Sequence, residues 1–110
     1  MKTVESLSWY VNIWIAGDYA QAVQTCRAWS MEVGGCVAVT PAAYVYTGGT
    51  EDGVLVRFLN YPRFPKPLGE ILEQAKSLAE RLRISLCQWS YTIETPERTL
   101  WFSNRPEDNK

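Results

Sequence analysis

The sequence predicts an α+β fold of the ferredoxin-like kind: a β-α-β-β-α-β sandwich with an extra C-terminal strand, an antiparallel-rich sheet and two helices on one face. Three observations predict it. WYVNIWIA (9–16) and VLVRFLNY (54–61) alternate with bulk on both faces, as central strands do. Residues 19–33 and 67–84 repeat apolar side chains at three- and four-residue steps, as amphipathic helices do. CVAVTPAAYVYT (36–47) is rich in strand formers but carries Pro41, which removes a ladder donor and places the run on a sheet edge or at a bend. Right-handed crossovers then set the first and third strands at the centre and the second at an edge.

Each element has its own local reason. Val11, Ile13 and Ile15 share one face of the first strand, and Tyr10, Asn12 and Trp14 share the other. Gly17 and Asp18 end that strand, and Asp18 is a good N-cap for the first helix. Tyr19, Ala22, Val23, Cys26, Trp29 and Val33 form that helix's stripe, and Gly34 is placed to close it in the left-handed conformation. GGTEDG (48–53) reads as a hairpin connection into the third strand. NYPRFPKP (60–67) reads as a stiff joint to the second helix, with Pro67 at its first helical position. Leu68, Ile71, Leu72, Ala75, Leu78, Ala79 and Leu82 give that helix the clearest period in the chain. CQWSYTIE (87–94) alternates as a fourth strand, TPER (95–98) is a turn, and TLWFS (99–103) is a short fifth strand. A single domain over 1–110 is expected, with an ordered core over about 9–103 and a frayed polar tail at 104–110.

Composition narrows the function classes. The chain is 46% hydrophobic and 21% charged, with a formal net charge of −1. That balance fits a globular core and argues against polymeric nucleic acid or a membrane surface as partner. No apolar run approaches the roughly 20 residues that span a bilayer, and MKTVESLSWY has no signal-peptide core, so a cytoplasmic location is expected. Histidine is absent, which removes the commonest general base and metal ligand; neither a metal nor a cofactor is expected. Cys26, Cys36 and Cys87, odd in number and without a CxxC pair, read as reduced, apolar core residues.

The aromatic excess is the most informative feature. Once the helix-facing side is filled, Tyr10, Trp14, Leu55, Arg57, Leu59 and Tyr61 remain on the opposite face of the two central strands. A face this apolar reads as an interface, and Tyr10, Trp14, Leu55 and Leu59 are expected to join subunits of a homo-oligomer. Aromatics with arginine also describe how a nucleotide is held. The expected ligand-binding residues are Arg57, Arg63 and Arg98 for charge, with Tyr44, Tyr46, Tyr61 and Trp89 for stacking. No catalytic residues are expected: Asp18, Glu51, Asp52, Glu94 and Glu97 all have ordinary cap, turn or surface readings.

YVYTGGTEDGVLVRFLNYPRFP, with CVAVTP before it and LAERLRISLCQWSY after it, resembles small uncharacterised proteins of tailed phages and prophages over about Val11 to Ser103. The resemblance implies a viral accessory protein in a bacterial host's cytoplasm. The expected function is therefore non-catalytic: self-association and sequestration of a small anionic or nucleotide-like ligand of host defence signalling. An inhibitor or adaptor that docks on a host protein is the second reading, and a small enzyme without histidine the third.

Overall fold

Strict alternation builds the centre of the sheet. In the computed structural model, which describes residues 1–110, β1 (Tyr10–Ala16) buries Val11, Ile13 and Ile15 against the helices. It is followed by α1 (Tyr19–Val33), β2 (Ala38–Tyr46), β3 (Gly49–Leu59), α2 (Leu68–Ser85), β4 (Ser90–Glu94) and β5 (Thr99–Ser103), and by one 3-10 turn at Pro106–Asp108. The strand order is β2-β3-β1-β4-β5, and every neighbouring pair is antiparallel. This is the expected ferredoxin-like sheet with β5 added beside β4. β1 and β3 are central, and β2, the strand with Pro41, is an edge.

Both helices pack on one sheet face, but Tyr19 and Val33, expected in the α1 stripe, are exposed at its two ends. Trp29 and Cys26 of α1, and Ile71, Ala75, Leu78 and Leu82 of α2, pack with Val54, Val56, Phe58 and Ile93. The Trp29 indole meets Phe58 edge-on at 5.7 Å. The capping signals act as the residue types require. The Asp18 carboxylate accepts the Gln21 N–H at 2.9 Å, and Gly34, at φ 75, donates its N–H to the Ser30 carbonyl at 2.8 Å. No helix is long and apolar enough to cross a membrane.

The structure corrects several sequence expectations. GGTEDG is mostly strand: Tyr46 pairs with Gly49, so Thr47 and Gly48 alone make the turn, with Gly48 at φ 96. Positive φ falls only at the second turn residue, the type II arrangement, which glycine adopts without a Cβ penalty. Pro67 is the N-cap of α2, one position before the first helical residue; its carbonyl accepts from Glu70 and Ile71. Cys26 is buried, and burial pushes its thiol up to about 11, but Cys36 and Cys87 are exposed. The tail is tied locally, with the Ser103 hydroxyl on Asp108 at 2.5 Å and the Asn109 amide on the Arg105 carbonyl at 2.8 Å.

Asn60 holds the proline-rich joint. Its amide donates to the Leu7 carbonyl at 2.7 Å, its Oδ1 accepts the Lys66 N–H at 3.0 Å, and its carbonyl accepts from the Ser6 hydroxyl at 2.9 Å. The N-terminal segment is thereby fastened beside residues 60–66.

Tyr44 lies across Gly53, its hydroxyl donating to the Val54 carbonyl at 2.7 Å. A Cβ at Gly53 would fall 2.1 Å from the Tyr44 ring and 2.6 Å from the Ile15 carbonyl. Gly53→Ala is therefore expected to destabilise the protein by about 2–3 kcal/mol, and Tyr44→Phe by about 1 kcal/mol, in urea unfolding. A Gly53→Ala variant that unfolds with the wild type would contradict this contact.

Candidate active site on the open sheet face

The helices cover one face of the sheet, and alternation assigns the remaining side chains to the other. Register sorts them into rows. Arg57, Asn12 and Glu94 lie side by side on β3, β1 and β4. The next row holds Leu55, Trp14, Thr92 and Trp101, and Leu59 pairs with Tyr10 on the far side.

The polar row is bonded internally. Glu94 Oε1 accepts the Asn12 Nδ2–H and the Trp14 Nε1–H, each at 3.0 Å. Both bonds end on one oxygen and leave Oε2 free. The Arg57 guanidinium lies 4.9 Å over the Tyr10 ring, a cation–π contact that holds it on this face. The bonds from Asn12 and then Trp14, with the nearby charge of Arg57, hold the Glu94 carboxyl below its ordinary value of 4.5, against the opposing effect of burial. Asn12 is only 5% exposed, and its Oδ1 has no hydrogen-bond partner. A buried acceptor left unsatisfied costs about 1–3 kcal/mol; it is relieved when a donor arrives.

This arrangement favours one kind of chemistry. A carboxylate held ionised by neutral donors is a weak base and a good anchor for positive charge. Arg57, across Asn12, offers the opposite charge. Aromatic and aliphatic side chains flank the charged row on either side.

A second feature lies where β1 begins and β3 ends. Lys2, Val4, Cys36, Tyr61, Pro62, Arg63 and Phe64 line a cleft of ≈ 540 Å³. The Arg63 guanidinium stacks 5.3 Å over the Phe64 ring. Burial, followed by a hydrogen bond with Cys36, raises the Tyr61 hydroxyl, which therefore stays protonated at neutral pH.

The residues expected to bind a ligand do not form one group. Arg57 is central on the open face, and Tyr61 and Arg63 meet in the cleft. Tyr44 is engaged with backbone carbonyls across Gly53, and Tyr46 is exposed at the hairpin tip. Trp89 and Arg98 flank opposite ends of β4. Of the residues expected at a subunit interface, Trp14 orients Glu94 and Tyr10 supports Arg57, while Leu55 and Leu59 border the polar row. Sequence reasoning missed Asn12 and Glu94. Their signal was present: Asn12 is the polar residue within a central strand, and Glu94 ends an alternating strand on the side opposite Tyr91 and Ile93.

No protein-family model matches the sequence, and no curated protein matches it. Two solved structures share the fold. A phage SAM lyase in its apo state superposes with a TM-score of 0.77 at 15% identity, covering 94% of this chain and 98% of that one. A phage SAM lyase in complex with S-methyl-5′-thioadenosine superposes with a TM-score of 0.71 at 14% identity, covering 94% and 95%. These likenesses establish the fold. They also overturn the expectation of a non-catalytic protein that sequesters a ligand or docks on a host protein: the chains that share this architecture end to end are an enzyme.

The low Glu94 value has a consequence for acid stability. Its folded value lies below the unfolded one, so the stabilisation is complete above about pH 4.5 and is lost as pH falls through the folded value. Glu94→Gln is expected to flatten the dependence of unfolding free energy on pH in that acid window and to leave it unchanged at pH 6–8. Denaturant titrations at several pH values check this; parallel curves for the two proteins would count against an ionised, bonded Glu94.

Proposed function

We propose that this chain is a lyase that cleaves S-adenosylmethionine on its open sheet face and releases S-methyl-5′-thioadenosine. The observation that carries the reading is the Arg57–Asn12–Glu94 row: an ionised carboxylate and an unsatisfied buried acceptor facing an arginine. The methionine end of the substrate is an α-amino acid, with an ammonium and a carboxylate on one carbon. Glu94 Oε2 and Asn12 Oδ1 suit the ammonium, and Arg57 suits the carboxylate. The likeness of the whole chain to the phage SAM lyase structures supports the same reading. So does the resemblance of the sequence to phage and prophage proteins, and with it an origin in a virus that acts in a bacterial cytoplasm.

Release of the methylthioadenosine breaks the bond between the sulfonium sulfur and the methionine Cγ, with the electron pair going to sulfur. The substrate's own carboxylate oxygen forms the new bond to Cγ and closes a lactone ring. This route consumes no water and needs no proton acceptor, which suits a chain without histidine. Two opposite charges vanish in the step, so exclusion of water around the bound substrate favours it. The ammonium charge persists throughout. Binding it at Glu94 therefore does not stabilise the sulfonium that must be lost. Arg57 fixes the line of carboxylate attack, an orientational contribution.

Incubation with S-adenosylmethionine, followed by liquid chromatography and mass spectrometry, is expected to show methylthioadenosine appearing with time. Glu94→Gln should slow its release by roughly 10–100-fold, the worth of a charge-assisted hydrogen bond, while the variant stays folded at neutral pH with a modestly lowered melting temperature. No product at stoichiometric enzyme, or a fully active Glu94→Gln variant, would refute the proposal.

A further inference from the structure

The cleft at the end of β3 is not needed for the amino-acid end of the substrate, and its chemistry is different. Its lining has two cations, Lys2 and Arg63, neither in an ion pair, two aromatic rings, Tyr61 and Phe64, and no carboxylate. It therefore offers donors and stacking faces but nothing to attract positive charge. That is the inverse of Glu94. We infer that the cleft is the nucleoside half of the substrate site, and that the difference in charge between cleft and Glu94 decides which way the substrate lies. The inference rests on the lyase reading and deepens it.

Adenine is an uncharged, flat ring whose exposed nitrogens are mainly acceptors. Tyr61 and the Arg63–Phe64 stack provide surfaces for it, and the Lys2 ammonium, the Arg63 guanidinium and the protonated Tyr61 hydroxyl provide donors. The sulfonium and ammonium are repelled from this end and drawn towards Glu94. The cleft opens where β3 leaves the sheet, with Tyr61 four residues beyond Arg57. Cys36 and Tyr61 lie just outside the strands, in the segments that lead into β2 and out of β3. Cys36 leads into β2, three strands from Glu94 on β4, and Tyr61 follows β3, two strands away. At about 4.8 Å per strand across the sheet and about 3.4 Å per residue along it the sites are roughly 16–17 Å apart, a span that a fully extended adenosyl–methionine conjugate bridges with its hydrogen bonds at either end.

The test uses methylthioadenosine, which has the nucleoside but no amino-acid end. Calorimetric titration of the whole protein with it is compared with Phe64→Ala and Arg63→Ala; Phe64 is 66% exposed, so the first variant is expected to fold. Loss of the stacking surface should weaken binding by about 5–100-fold and raise KM for S-adenosylmethionine with little change in kcat, because the nucleoside does not react. If the wild type cleaves S-adenosylmethionine and Phe64→Ala keeps both its affinity for methylthioadenosine and its KM, the cleft inference fails and the lyase reading stands. If the wild type cleaves nothing yet binds methylthioadenosine in a Phe64-dependent way, the lyase reading fails and the cleft remains a nucleoside site. If it neither cleaves nor binds, both fail.

Discussion

Hydrogen bonding of β1 along both edges is the constraint on which the rest of the structure depends. β3 pairs with one side and β4 with the other, so every side chain of β1 is committed to one of two faces. Val11, Ile13 and Ile15 anchor the helices. Asn12 and Trp14, by the same alternation, become the floor of the opposite face. A one-residue slip would exchange the two sets and bury an amide in the apolar core. The site is thus fixed by the same register that forms the core.

The electrostatics follow from that placement. Glu94 comes from a strand 82 residues further along the chain than Asn12, yet the β1–β4 register sets the two side by side. Its donors are neutral, which keeps it ionised without cancelling its charge. Arg57 is held off by Tyr10 and forms no ion pair with it. Charges of both signs therefore remain available in one row, flanked by rings and aliphatic groups. An ion pair between them would be self-satisfied and have less to offer a ligand.

The fold tolerates wide change in sequence. Chains with 14–15% identity share it over more than nine-tenths of their length. What they must share is periodicity, capping and turn chemistry, because those decide which surfaces are buried. Architecture of this kind hosts many activities. The functional reading accordingly rests on the residues of the open face and the cleft, with the fold as its support.

Local physics made much of the fold legible. Asp18 and Gly34 marked the ends of α1, Pro41 marked an edge strand, and the periods of residues 54–59 and 68–82 marked β3 and α2, because each signal acts within a few residues of itself. Arg57 was legible as a lone charge in an apolar strand. The start of β3, the exposure of Cys36 and Cys87, and the anchoring of the joint by Asn60 were not, since each depends on a partner distant in sequence. Glu94 is the clearest case. Its sequence determined only that it ends a strand and points away from Ile93. That it meets Asn12, Trp14 and the field of Arg57 was decided by the tertiary structure, because only strand order and register bring β4 beside β1 and convert a surface carboxylate into a bonded, ionised one.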